Sequence, residues 1–153
     1  MSKIVFFCIP AYGHTNPTLG VVREHTARGH EVRYYSYEPM RTLIEAAGAQ
    51  FVACDPYDCE QHLTPADGAR IGKDIAFSTH ILVETTLALD EMVCADMRAY
   101  APDCIVADSM AVWGKAVAKK LGIPFISSTT TFAFNRYSAK VMEQSGGQVL
   151  KMM

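Results

Sequence analysis

The sequence has no cluster of basic residues. Lys and Arg are scattered along the chain and the formal net charge is only −2. Without a basic run or stripe, a nucleic-acid partner is not expected. No apolar stretch approaches the ~18–20 residues that a membrane-spanning helix needs. The N-terminus offers one cation, Lys3, ahead of the apolar run Ile4–Ile9. No small-residue cleavage site follows it before the first turn, so it reads as a strand of a cytoplasmic protein and not as a leader. Glycine is sparse where nucleotide motifs would need it: there is no G-x-G-x-x-G, no phosphate P-loop and no nucleophile elbow around Ser109. Neither internal repeats nor low-complexity segments occur. The five cysteines are odd in number. Cys54, Cys59 and His62 lie close together, but their spacing fits no standard zinc pattern and no fourth ligand is evident. Cys8 and Cys104 fall in expected buried strands, where thiols serve as small hydrophobes.

What is present is enough for one domain with a real core: 153 residues, 50% hydrophobic and 20% charged. The most informative stretch is Lys3 to Pro17, KIVFFCIPAYGHTNP. Ile4–Ile9 is a continuous run of β-formers, as in a strand covered on both faces. Pro10 cannot continue a ladder and Gly13 permits a sharp turn. Asn16 is expected to cap a helix that Pro17 opens. His14 would then sit in the loop between strand and helix.

Beyond it, a helix is expected from Pro17 to Arg28, with Leu19, Val22 and Thr26 inward, stopped by Gly29. A strand over Glu31–Ser36 follows, with Val32, Tyr34 and Ser36 on one face. The next helix runs from Pro39 to Gly48, and a short strand over Gln50–Cys54. Residues 55–70 carry Pro, Asp and Gly and read as a long loop. A helix over residues 71–100 bears the stripe Ile71, Ile75, Ser78, Leu82, Thr85, Leu89 and Met92. The fourth strand, Asp103–Ala107, ends against Asp108. A helix carrying Trp113, Ala116, Val117 and Leu121 at helical spacing stops at Gly122. A fifth strand, Pro124–Ser128, leads to the polar-aromatic loop Thr129–Phe134. A short helix from Asn135 to about Gln144 is broken by Gly146 and Gly147.

Strands alternating with helices require a parallel sheet with helices on both faces, and right-handed crossovers leave few topologies. The expected architecture is a Rossmann-like open sheet of order 3-2-1-4-5. Its reversal makes the first and fourth strands neighbours, about 4.8 Å apart. His14 and Asp108 would then both face the crevice at the switch point. There the carboxylate can orient the imidazole and favour the imidazolium formed when His14 takes a proton. The plainer alternatives are a surface histidine and an aspartate that caps the next helix.

The segments PAYGHTNPTL, ARGHEVRYYS and PDCIVADSMAVWG resemble the N-terminal half of inverting, nucleotide-sugar-dependent glycosyltransferases of the GT-B fold, the macrolide and related small-molecule group above all. The resemblance covers the whole chain and is densest over residues 3–54 and 101–128. It implies that residues 1–153 form a single, incomplete acceptor-binding domain, truncated ahead of the C-terminal domain that binds the nucleotide sugar. His14 would deprotonate an acceptor hydroxyl and Asp108 would support it. Gly13, Thr15 and Asn16 would lie on the donor-phosphate side of the first loop. Phe77, Ile81, Thr130, Phe132 and Phe134 would line the pocket of a small, apolar, hydroxylated acceptor. The co-substrate would be a UDP-sugar of the UDP-glucose type, with no metal and no other cofactor. A lone acceptor half is expected to be inactive, and its uncovered surfaces could support a homodimer. Two other readings are a stand-alone module that binds an apolar small molecule or a partner protein, and a GT-B enzyme acting on a lipid-linked acceptor. The second fits poorly, because its first loop is usually richer in glycine.

Overall fold

The computed structural model describes residues 1–57, 64–71 and 73–130. The expected strands at the heart of the chain form because their residues can be buried on both faces at once. β1 (Lys3–Phe7) alternates its side chains between two cores. Val5 and Phe7 enter one, while Ile4, Phe6 and, just beyond the strand, Cys8 enter the other. β2 (Glu31–Ser36), β3 (Gln50–Ala53), β4 (Cys104–Asp108) and β5 (Phe125–Ser128) pair with it in parallel to give the order β3-β2-β1-β4-β5. Phe7 stands opposite both Tyr35 of β2 and Ala107 of β4. The switch point is therefore between β1 and β4, where the topology argument puts it.

Two helix layers cover the sheet. α1 (Tyr12–Ala27) and α2 (Arg41–Ala46) place Leu19, Val22 and Ile44 over Ile4, Phe6, Tyr34 and Phe51. α4 (Ile75–Tyr100) and α5 (Val112–Leu121) place Leu89, Val93, Met97, Trp113 and Val117 over Val5, Phe7, Tyr35 and Ile105. Each such large apolar side chain, fully buried, contributes about 1.5–3 kcal/mol. Gly114 lets α5 lie close to the sheet: a Cβ there would stand 2.7 Å from the Ala107 Cβ and 2.9 Å from the Phe7 ring. Gly29, Gly48 and Gly122 take positive φ after their helices, as the stop signals require.

Several expectations are corrected. α1 starts five residues before Pro17, so Asn16 is not its cap. Ala11 is extended, and its carbonyl accepts from the N–H groups of His14 and Thr15 at 3.0 and 2.9 Å, which starts the helix at Tyr12. Pro17 is tolerated on the exposed side of the second turn, where it withholds one N–H from the Gly13 carbonyl. Part of the expected loop 55–70 is helical: α3 (Pro65–Arg70) is started by a capping box between Thr64 and Asp67. The Pro and Asp that suggested a turn are here helix-start residues. α4 begins at Ile75, capped by the Asp74 carboxylate, which accepts from the Phe77 N–H at 3.0 Å. Ile71 thus falls outside the stripe and is 44% exposed. On α5 Ala116 faces outward, and Gly114 and Ala118 join Trp113 and Val117 on the buried face. Cys59, His62, Phe132, Phe134 and the expected helix after Asn135 lie outside the described residues. Among the described residues no helix is long and apolar enough to cross a membrane, and no three potential metal ligands converge.

Candidate active site

Three chain segments meet beyond the carboxyl ends of the strands. Asp108 is the last residue of β4, and the alternation that sends Ala107 towards α5 turns Asp108 to the α1 face. His14 lies in the first turn of α1, which follows β1 after a short loop. Thr130 follows the end of β5. The result is a short chain of contacts: His14 Nδ1 is 2.9 Å from Asp108 Oδ1, and Thr130 Oγ1 is 3.1 Å from the same nitrogen.

The Asp108 carboxyl is fully removed from solvent and the His14 side chain is 22% exposed. A carboxylate buried in this way needs donors for its oxygens. Oδ1 is served by His14, and Oδ2 accepts from the Met110 N–H at 3.1 Å. The second bond closes a local turn before α5, so Asp108 orders its own loop but does not cap the helix. A carboxylate can only accept, which assigns the proton of neutral His14 to Nδ1. Thr130 then acts as a second acceptor for that N–H. Nε2, the other ring nitrogen, is left as the basic position. A solvent-reachable base held by a desolvated carboxylate can take a proton from a hydroxyl brought to it.

The chain has relatives among known glycosyltransferases. No family model matches it. It is 36% identical over 149 residues to the demethyllactenocin mycarosyltransferase of Streptomyces fradiae, covering 91% of this chain and 32% of that protein. It is 30% identical over 130 residues to an NDP-glycosyltransferase of Bacillus subtilis strain 168, covering 83% of this chain and 31% of that protein. Over most of its length the chain is thus similar to macrolide and UDP-sugar glycosyltransferases, and its fold is that of their GT-B neighbours. It spans about a third of the length of these curated relatives. The solved glycosyltransferase of kitacinnamycin superposes with a TM-score of 0.72 over 98% of this chain and 36% of its own, at 22% identity, a likeness of fold.

In this GT-B domain the other expected site residues are distributed unevenly. Gly13 and Asn16 are exposed on the first turns of α1. Thr15 is not: it is fully buried, and its hydroxyl donates to the Cys8 sulfur at 3.7 Å, so its side chain cannot face a phosphate. Phe77 and Ile81 are half-buried on the first turns of α4, and the Arg70 guanidinium covers the Phe77 ring at 4.0 Å. Phe132 and Phe134 are outside the described residues. Thr130, expected as a pocket residue, is tied to His14 itself.

Sequence reasoning missed the layer under His14. Thr18 donates to the Thr15 carbonyl at 2.8 Å and is 2.7 Å from the Tyr34 hydroxyl. Burial pushes the Cys8 thiol up to about 11, and pushes the Tyr34 hydroxyl well above the usual phenol range. Both are therefore neutral, and the Cys8 sulfur accepts from Thr15. The available signal was the i, i+3 spacing of Thr15 and Thr18 on the same face as Leu19 and Val22.

Proposed function

We propose that this chain is the acceptor-side half of an inverting glycosyltransferase. His14 Nε2 takes the proton of an acceptor hydroxyl as that oxygen attacks the anomeric carbon of a nucleotide sugar, of the UDP-glucose type. The new C–O bond forms on the face opposite the old one, and the nucleoside diphosphate leaves with the electron pair of the bond that breaks. Asp108 keeps the imidazole in the Nδ1–H form and stabilises the imidazolium that results. The nucleotide sugar is a co-substrate, and no resident cofactor or metal takes part. The acceptor is a small, apolar, hydroxylated molecule, bound near the first turns of α4 and the segment after β5. The donor-binding half comes from outside these residues, and without it the chain is inactive, since the diphosphate lacks most of its contacts.

The observation that carries this reading is the His14–Asp108 pair, a partly exposed base on a buried carboxylate at the sheet's switch point. The test combines the chain with the donor-binding half of a related NDP-glycosyltransferase. UDP-glucose and a panel of phenolic and macrolide acceptors are supplied, and products are read by mass spectrometry. Glycosylated product that vanishes with His14→Ala is expected. Product that persists in that variant at the wild-type rate excludes the mechanism.

A further inference from the structure

The turn of α1 that carries His14 is poorly held by the helix itself. Ala11, at its start, has no side chain to bond the free N–H groups, and Pro17 gives no N–H to the Gly13 carbonyl. What ties the turn down lies beneath it. Four buried side chains, Cys8, Thr15, Thr18 and Tyr34, converge between α1 and the β1–β2 pair. Thr18 has one proton, which it gives to the Thr15 carbonyl at 2.8 Å. The 2.7 Å contact with Tyr34 must then be a bond donated by the Tyr34 hydroxyl. The Thr15 hydroxyl in turn donates to the Cys8 sulfur at 3.7 Å. These bonds clamp the backbone at Thr15, next to His14, onto two strands. Valine and phenylalanine would fill the same space; the hydroxyls add direction, because a hydrogen bond fixes an angle where apolar contact does not.

We infer that Tyr34 and Thr18 are positioning residues for His14: they fix the α1 turn so that the imidazole meets Asp108 and Thr130 through Nδ1. The inference rests on His14 being the base of the proposed transfer. Neither Tyr34 nor Thr18 reaches a reacting atom, since both are buried under the helix.

The test uses the chain as it is, with nitrogen-15 in its histidines. The two ring-nitrogen shifts of His14, measured by NMR with the ring neutral, report the ratio of Nδ1–H to Nε2–H forms. The variant Thr18→Val/Tyr34→Phe removes both partners of the bond together, which leaves no orphaned hydroxyl and keeps stability near that of the parent. Losing a bond of this kind lowers the Nδ1–H to Nε2–H ratio by up to about tenfold. Thr18→Ser keeps the hydroxyl and restores the parental ratio. A double variant with an unchanged ratio overturns the inference. If the double variant does not fold, Tyr34→Phe decides in the same way, because it strands no donor. No sugar enters this measurement, so its failure is distinct from failure of the transfer reading, which the product assay addresses. In that assay kcat falls in the double variant while the acceptor KM holds. An unchanged kcat beside a shifted ratio also overturns the inference.

Discussion

His14 Nδ1 and Asp108 Oδ1 stand 2.9 Å apart although 94 residues separate them along the chain. The contact exists because two parallel strands are neighbours in space: β4 ends in Asp108, and β1 leads into the α1 turn that carries His14. The carboxylate is wholly buried and the ring partly exposed, so the pair hides the charge that supports the base.

That division of labour makes Asp108→Asn informative. Asparagine keeps the size and the Met110 contact, yet it carries no charge and no longer selects the Nδ1–H form of the ring. Transfer by the assembled enzyme is expected to fall by about 10³–10⁴-fold, as when a buried orienting carboxylate is neutralised elsewhere. The thermal midpoint should move little. Turnover within about tenfold of the parent would mean that Asp108 does not support the base.

Gly114 is a packing prediction. An added methyl would meet the Ala107 Cβ at 2.7 Å and the Phe7 Cβ at 3.1 Å, both fixed to strand backbone and unable to swing away. Overpacking of this kind costs about 1–3 kcal/mol. Gly114→Ala should therefore lower the unfolding midpoint in urea with an unchanged slope. An unaltered midpoint would show that α5 can lift from the sheet without cost.

Alkaline pH should destabilise the fold through Cys8. Its thiol has an ordinary value of 9.0 when the chain is unfolded and is pushed up to about 11 by burial in the folded state. The stabilisation is fully present below about pH 9 and is lost as pH rises through about 11. In that window the unfolded thiol gives up its proton and the folded one keeps it. The loss is about 1.4 kcal/mol per pH unit across the window. Cys8→Ala removes this contribution, so its stability deficit against the parent should shrink between those limits in urea titrations. A deficit that stays constant would place the alkaline transition on other groups. Tyr34, also held neutral by burial, is the first to examine.

The two strongest sequence signals came through intact. β2 runs over Glu31–Ser36 as expected, and the strand order 3-2-1-4-5 with its switch beside β1 follows from alternating strands and helices. The strand signal rests on burial, since a strand covered on two faces must be apolar throughout, and the order rests on right-handed crossovers, which leave few topologies. His14 and Asp108 were legible for the same reason, since the order alone makes their strands adjacent.

Local choices were less legible, because one residue can serve two local structures. Pro17 and Asn16 suit a helix start, yet the helix begins at Tyr12, where the Ala11 carbonyl finds the first N–H groups. Pro65 and Asp67 suit a turn, yet with Thr64 they begin α3.

The sequence by itself determined the parallel architecture, the two-sided core and the pair of residues at its switch point, because these depend on pattern and chain order. Only the tertiary structure decided which nitrogen of His14 meets Asp108, that Thr130 shares it, that Thr15 turns inward, and that Tyr34 reaches Thr18 across the β2–α1 interface. Those facts depend on angles and distances between segments far apart in the chain, and hydrogen bonds form only where packing has already set both.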